Sequence, residues 1–311
     1  MFADAIETVS RYTRPVKFIS RNYGSEEIIR GTATLFFVNE KGDAVTCKHV
    51  TDEIQACAEI NAQYEQYKAE IAILPTKEVA LVKSIAERFG FQNGSTVQYH
   101  CMLFDCVEAI DNAVNMSIIP HPKYDLSVIR IENPKAILYS GYAVFAKDSS
   151  VLRSGDFLCR YGYPFSEFSD YKYDSDKDEL NWISRGRIDT PSFPIEGMYT
   201  RDIVDENNDI YGYELSTPGL RGQSGGPLFN SKGIVFGMQS QTAHLHLGFD
   251  QSNAKVRIDG QMKEVEDHPF FHVGRCITVD VIKQFLNDNK IKYYVGDSEG
   301  HIEAVNGDED V

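Results

Sequence analysis

A serine surrounded by small residues is the feature of this sequence with the clearest chemical meaning. Ser224 lies in residues 222–228, with the sequence GQSGGPL. A serine hydroxyl is a weak nucleophile at neutral pH, so it needs a base to take its proton and backbone amides to hold the resulting oxyanion. The glycines permit a tight turn with converging amides, and those of Gly222 and Ser224 are the expected donors. An ordinary hairpin turn is the alternative, since Gly, Ser and Pro are common turn residues.

A histidine and an aspartate upstream could complete a catalytic set. Two apolar runs flank the turn residues 40–43, which predicts a hairpin with His49 just past its second strand, and His49 is the candidate base. Asp125 precedes an alternating strand and is the candidate acid that fixes the tautomer of the histidine. Either residue could instead be structural, as many strand-flanking histidines and turn-forming aspartates are. The chain order His, Asp, Ser agrees with that of chymotrypsin-type double barrels and favours catalysis.

These segments resemble those of trypsin-like (chymotrypsin-fold) serine proteases, and within them the high-temperature-requirement or Deg type of bacterial protease, over about residues 32–286. Residues 154–164 are similar to the strand and turn that open the second barrel, and residues 183–188 to the strand that follows. The resemblance implies His49 as base, Asp125 as orienting acid and Ser224 as nucleophile. It also implies Gly222 and Ser224 as oxyanion-hole amides, and no cofactor.

The implied fold is mainly β, with two six-stranded antiparallel β-barrels of chymotrypsin type. The length of 311 residues and a hydrophobic fraction of 42% suit one peptidase domain over about 1–290, without a PDZ domain. The first barrel is expected at about 15–135, the second at about 150–277 and a C-terminal helix at 278–290. Residues 291–311 are expected to form a solvated acidic tail.

Residues 52–93 interrupt the first barrel with a helical pattern. Apolar side chains recur at spacings of three and four on both sides of Pro75, which predicts two amphipathic helices. The insertion could simply cover the barrel, or it could be a regulatory or substrate-docking surface.

The resemblance also places the residues of the specificity pocket. The expected substrate-binding residues are Pro218, Gly219, Met238, Gln239, Ser240, Gln241 and Thr242. Trypsin-like pockets have an aspartate at the position of Pro218, and glutamate-specific relatives have a histidine at that of Gln239, so neither preference is expected. A small, medium apolar or uncharged polar side chain is expected to fit. Residues 240–242 are expected to pair with the substrate backbone, and Ser240 to orient Asp125.

Gln223 bears on activation. Zymogen-activated relatives have an aspartate there, which captures a newly cut N-terminal ammonium, and a glutamine cannot form that ion pair. We therefore expect no activation by N-terminal cleavage. Control by a partner such as a protein activator, by a ligand or by rearrangement of the loop is expected instead.

Composition restricts partners and location. With 46 acidic and 31 basic residues, the net charge of −15 excludes a basic nucleic-acid groove, and no apolar run is long enough for a membrane span. The absence of a signal-peptide pattern and the interpretation of all six cysteines as free, buried thiols predict a cytoplasmic protein. The sequence sets no oligomeric state.

Two groups of polar residues have the spacing of metal ligands without a complete motif. Residues 174–178 lack the glycine of a calcium loop and are expected to be a solvated acidic loop. No third ligand accompanies the histidine pairs at 244/246 and 268/272 in the sequence. No metal is therefore expected.

The predicted function is that of a serine endopeptidase acting on protein or peptide substrates. The alternative is a catalytically silent barrel that binds peptides as a scaffold.

Overall fold

The computed structural model describes residues 1–75, 78–103, 107–108, 115–132, 136–297 and 299–306. The described helices are α1 (Ala3–Ser10), α2 (Lys48–Ala72), α3 (Val79–Arg88) and α4 (Val279–Asp288), with a short 3-10 helix at Ser149–Val151. The first strands are β1 (Thr13–Asn22), β2 (Ile28–Phe37), β3 (Asp43–Thr46), β4 (Thr96–Met102), β5 (Val107–Glu108), β6 (Met116–Pro120), β7 (Ser127–Ile131), β8 (Ala136–Ile137) and β9 (Val144–Ala146). The later strands are β10 (Phe157–Arg160), β11 (Tyr171–Asp174), β12 (Glu179–Trp182), β13 (Ile195–Val204), β14 (Ile210–Leu215), β15 (Pro227–Phe229), β16 (Val235–His246), β17 (Gln251–Ile258), β18 (Gln261–Asp267), β19 (Phe270–Thr278), β20 (Tyr293–Gly296) and β21 (Ile302–Val305).

The N-terminal half forms a six-stranded antiparallel sheet in the order β4-β1-β2-β3-β7-β6. The predicted hairpin is β2–β3, and its turn contains Gly42 at φ +94°, a left-handed conformation that favours glycine. Every residue of β3 is buried, because the strand lies inside the sheet between β2 and β7.

The C-terminal half closes into a ring of strands. The order β15-β10-β13-β14-β19-β16 returns to its start because β15 also pairs with β16, so no edge remains in this ring. One hydrophobic core joins both halves, as the ring contact of Phe36 in β2 with Phe145 in β9 shows (centroids 6.2 Å apart). The mainly β fold of chymotrypsin type is confirmed.

The helical insertion is also confirmed. Helix α2 begins directly after β3 and packs on β4. Its apolar stripe forms a separate aromatic cluster in which Tyr67 packs against Phe91 of the following loop, with centroids 5.2 Å apart. Val79 belongs to the predicted stripe of α3 but is exposed, because it lies at the first turn of that helix beyond the cluster.

Three expectations need correction. Residues 183–188 form no strand, since residues 184–186 are bends and the others are irregular, and Ile188 is exposed. The predicted solvated tail instead contributes β20 and β21, because β20 pairs in parallel with β9 and buries Tyr293 and Val295 against the core; residues 307–311 lie outside the described part. Of the cysteines, Cys106 also lies outside the described residues; the other five are free, and Cys101 is only half-buried.

The loop expected to be solvated and acidic is anchored by its last residue. Asp178, in the turn between β11 and β12, accepts hydrogen bonds from the Arg21 guanidinium (2.6 Å), the Tyr64 hydroxyl (2.6 Å) and the Tyr173 hydroxyl (2.7 Å). The Arg21 side chain is only 5% exposed. A buried cation needs a partner, so Asp178 ties this hairpin to the first sheet and to α2.

Within the described ranges, no helix is long and apolar enough to cross a membrane.

Candidate active site

Three donors hold the carboxylate of Asp125 in the cleft between the two sheets. His49 lies in the first turn of α2, and its Nδ1 is 3.0 and 2.9 Å from the two carboxylate oxygens of Asp125. The His49 backbone amide donates to Oδ1 at 3.0 Å, and the Ser240 hydroxyl donates to Oδ2 at 2.5 Å. A carboxylate at Nδ1 selects the tautomer with its proton there, which leaves Nε2 able to accept one.

The charges of this pair reinforce each other. Burial acts to raise the pKa of Asp125, but the hydrogen bonds from His49 and Ser240 outweigh it and lower that pKa to about 2. The pKa of His49 is raised above its ordinary value, mainly by its hydrogen bond to Asp125, while partial burial opposes the rise. Asp125 is therefore ionised at neutral pH, and His49 is a stronger base than a free histidine.

Ser224 lies in the loop between β14 and β15, close to His49. Its hydroxyl donates to the Ser240 carbonyl at 3.3 Å, and no hydrogen bond joins it to His49 among the described residues. Ser224 and His49 nevertheless line the same cavity of about 170 Å³, together with Arg221 and Gly222. Nucleophile–base hydrogen bonds are often long before substrate binds and tighten in the complex.

The carbonyls of the Ser224 loop are held by β2. Thr34 donates from its amide to the Ser224 carbonyl (2.9 Å) and from its hydroxyl to the Gly222 carbonyl (2.8 Å). The Gly222 and Ser224 amides donate to no other group in the described part of the chain. Gly222 has φ +96°, and a Cβ there would lie 2.6 Å from both Thr32 Oγ1 and the Tyr163 carbonyl. Only glycine fits at this position.

The Gln223 side chain holds the loop through two hydrogen bonds to backbone groups. Its side chain is fully buried, with Oε1 accepting from the Leu220 amide (2.9 Å) and Nε2 donating to the Phe193 carbonyl (2.7 Å). A neutral amide matches the one donor and the one acceptor that face it here.

The residues predicted to bind substrate fall into two groups. Pro218, Gly219, Ser240, Gln241 and Thr242 lie on the two facing segments, with Gln239 buried between them. The segments touch, because the Thr242 hydroxyl both accepts from the Gly219 amide (3.0 Å) and donates to its carbonyl (2.8 Å). The space where the specificity pocket is expected is therefore closed in this structure.

Met238 does not belong to this pocket. Its side chain is fully buried and belongs to the hydrophobic core, because successive side chains of β16 point to opposite faces of the sheet. The expectation that it binds substrate is corrected.

Sequence reasoning missed Arg160. This last residue of β10 is fully buried, and its Nη1 donates to Gln239 Oε1 (2.9 Å) and its Nη2 to Thr217 Oγ1 (2.5 Å). The available signal was an arginine in the otherwise uncharged run FLCRYGYP of residues 157–164.

His49 also lines a second cavity. It measures about 670 Å³ and is lined by Tyr124, Asp205 and Gln241, among others. His49 thus lines both cavities.

The histidine pairs have a partner that the sequence did not reveal. Asp250 Oδ1 lies 2.8 Å from His246 Nε2 and 2.7 Å from His268 Nδ1, and the three side chains could hold a metal ion. His244 instead contacts His272 across β16 and β19, with their Nδ1 atoms 2.6 Å apart. The expectation that no third ligand is present is therefore corrected, although these side chains are exposed and distant in sequence from the Ser224 loop.

Comparison with known proteins identifies the family of the chain. Residues 31–238, more than half of the chain, match the family model of the trypsin-like peptidase domain. A search of the curated proteins finds no match.

Proposed function

Since the chain belongs to the trypsin-like peptidase domain family, we propose that it is a serine endopeptidase in which His49, Asp125 and Ser224 form the catalytic triad. The observation that carries the proposal is the placement of Asp125, whose carboxylate accepts from the His49 ring, the His49 amide and the Ser240 hydroxyl. An aspartate held in this way fixes the histidine tautomer that a serine nucleophile needs.

The mechanism is acyl transfer to water. Ser224 Oγ attacks the peptide carbonyl carbon while His49 Nε2 takes the hydroxyl proton, and the Gly222 and Ser224 amides stabilise the negative oxygen. When the intermediate collapses, His49 gives its proton to the leaving amine, and Ser224 keeps the acyl group as an ester. Water then attacks this ester with His49 again as the base, which releases the acid and restores the serine. Asp125 stays ionised throughout, as its low pKa requires.

The proposal includes regulation. The Ser224 hydroxyl bonds to Ser240 rather than to His49, and Thr242 holds the specificity pocket closed through Gly219. Activity then requires the Ser224 side chain to rotate and the two pocket segments to separate. A substrate or a protein activator that binds the open form supplies this change by shifting the population. Gln223 leaves no role for a freed N-terminus.

Labelling with a fluorophosphonate tests the proposal. We expect the wild-type protein to be labelled, and Ser224→Ala and His49→Ala to lose labelling, because the first lacks the nucleophile and the second lacks its base. Ser231→Ala is the matched control, since Ser231 is an exposed turn serine. The assay is run alone and with cell extract, so that an activator is present. A folded wild-type protein that is unlabelled in both cases would favour the scaffold alternative.

A further inference from the structure

Arg160 is a buried cation with only neutral acceptors. Its side chain has 0% exposure, and its two hydrogen-bond acceptors are the Gln239 side-chain carbonyl and the Thr217 hydroxyl. Its Nε has no acceptor, and no carboxylate in the described part of the chain acts on its charge. Burial of an unpaired ion is costly, so a charged side chain in this position is normally paired.

The neighbouring thiols do not supply the missing charge. Cys276 and Cys159 are the groups whose charge would act on Arg160, and burial raises the pKa of each thiol to about 12. Both thiols are therefore neutral at physiological pH. An arginine side chain keeps its proton in proteins, so the guanidinium stays charged.

The position of this cation points to the substrate. Each of its acceptors directly precedes one wall of the specificity pocket in sequence, Thr217 before Pro218 and Gln239 before Ser240. The third neighbour is Gly274 of β19, where a Cβ would lie 2.1 Å from Nη1, so a glycine is required to make room for the guanidinium. The Gln239 side chain that accepts from Arg160 also lies against Gly219, where a Cβ would be 2.5 Å from Gln239 Nε2. The guanidinium therefore lies directly behind Gln239, at the place where the specificity pocket is expected.

We propose that Arg160 selects an acidic side chain, aspartate or glutamate, at the substrate residue on the acyl side of the scissile bond, here called P1. This proposal deepens the endopeptidase function and rests on it. A P1 carboxylate that enters between Gly219 and Thr242 meets the guanidinium once the Gln239 side chain moves aside. It supplies the negative charge that none of the described residues supplies. The expectation of an uncharged P1 residue, made from Pro218 and Gln239, did not include Arg160.

Binding to the inactive Ser224→Ala protein tests the proposal without requiring turnover. Fluorescein-labelled decapeptides that are identical except for Asp or Asn at P1, and a second pair with Glu or Gln, are titrated by fluorescence anisotropy. We expect the acidic member of a pair to bind about 10- to 100-fold more tightly, which is the range for a hydrogen bond to a charged group. The preference should disappear when Arg160→Gln is added, and remain with Arg153→Gln, a change of an exposed arginine.

The outcomes are distinct. Equal binding within both pairs, tighter binding of the neutral members, or no measurable binding of any peptide would overturn the proposal. If the protein with Arg160→Gln does not fold, the comparison of the paired peptides on the Ser224→Ala protein, which keeps Arg160, still decides the question. Failure of the endopeptidase function is recognised separately, by absence of fluorophosphonate labelling of the wild-type protein.

Discussion

Replacing Gly222 by alanine tests whether β2 and the second barrel clamp the nucleophile loop in the way the structure shows. The added Cβ would lie 2.6 Å from Thr32 Oγ1, 2.6 Å from the Tyr163 carbonyl and 2.8 Å from Pro164 Cα. The last two of these atoms belong to the backbone and cannot rotate away. The loop itself must move, and the Gly222 amide moves with it.

The magnitude has two parts. Gly222 has a left-handed φ of +96°. A residue with a Cβ in that conformation costs about 1–2 kcal/mol. Overpacking of a closely packed site costs about 1–3 kcal/mol more. We therefore expect Gly222→Ala to lose about 2–5 kcal/mol in the free energy of unfolding. Displacement of one oxyanion donor should also lower kcat by about 10²- to 10³-fold.

Gly155→Ala is the matched control. Gly155 has φ +98° but nothing within 4 Å of the added Cβ, so this variant carries the backbone cost without the clash. Urea unfolding and the rate of fluorophosphonate labelling are measured for both variants and the wild type. Equal stability of the two variants, together with wild-type labelling of Gly222→Ala, would refute the argument that the loop is clamped.

Three further predictions concern charged and buried groups. A general base must be unprotonated, and the pKa of His49 is raised, so kcat/KM of the wild-type protein should fall as pH drops through a midpoint above 6.5. Histidine NMR should show that the pKa of His49 is lower in Asp125→Asn than in the wild-type protein. Gln223→Glu removes the buried donor to the Phe193 carbonyl. This change should cost about 3 kcal/mol in urea unfolding at pH 8. The cost should be smaller at pH 5, because burial raises the pKa of a carboxyl group and the protonated form can donate. Asp178→Asn deprives the buried Arg21 of its counter-charge. It should lose about 3 kcal/mol in the same assay.

Each of these has a control or a contrary result. A kcat/KM midpoint below 6.5 would contradict the raised pKa of His49. A pH-independent cost of Gln223→Glu would show that the new carboxyl group is not buried at the Phe193 carbonyl. For Asp178→Asn the control is Asp176→Asn, a change of an exposed side chain in the same loop. This control should change stability by less than about 0.5 kcal/mol. Equal losses in these two variants would mean that the network around Arg21 contributes nothing.

Local patterns predicted the elements that depend on neighbours in sequence. The β2–β3 hairpin follows from two apolar runs around a turn with Gly42, and α2 follows from apolar residues at helical spacing. The loop around Ser224 could also be predicted locally, because two of its glycines have positive φ angles that few other residues adopt. Such features depend on one short stretch of chain and need no knowledge of the partner strand.

These local patterns did not predict the pairings between strands that are distant in sequence. The tail from residue 291 was expected to be solvated because it ends in acidic residues, yet β20 joins β9 in parallel and is buried. Burial on β16 depends on which face meets the core, so Met238 and Gln239, adjacent in sequence, have opposite surroundings. A short alternating strand specifies that one face is buried, but not what it is buried against.

The sequence by itself determined the chemistry that this chain could perform, through the residue types at 49, 125 and 224 and their order. Only the tertiary structure decided how those residues are arranged: Asp125 holds His49, while Ser224 bonds to Ser240. It also decided that Thr242 bonds to Gly219 and that Arg160 is buried against Gln239. Residue types carry reactive groups with them, whereas the charge and shape of a pocket arise from side chains that long-range strand pairing brings together.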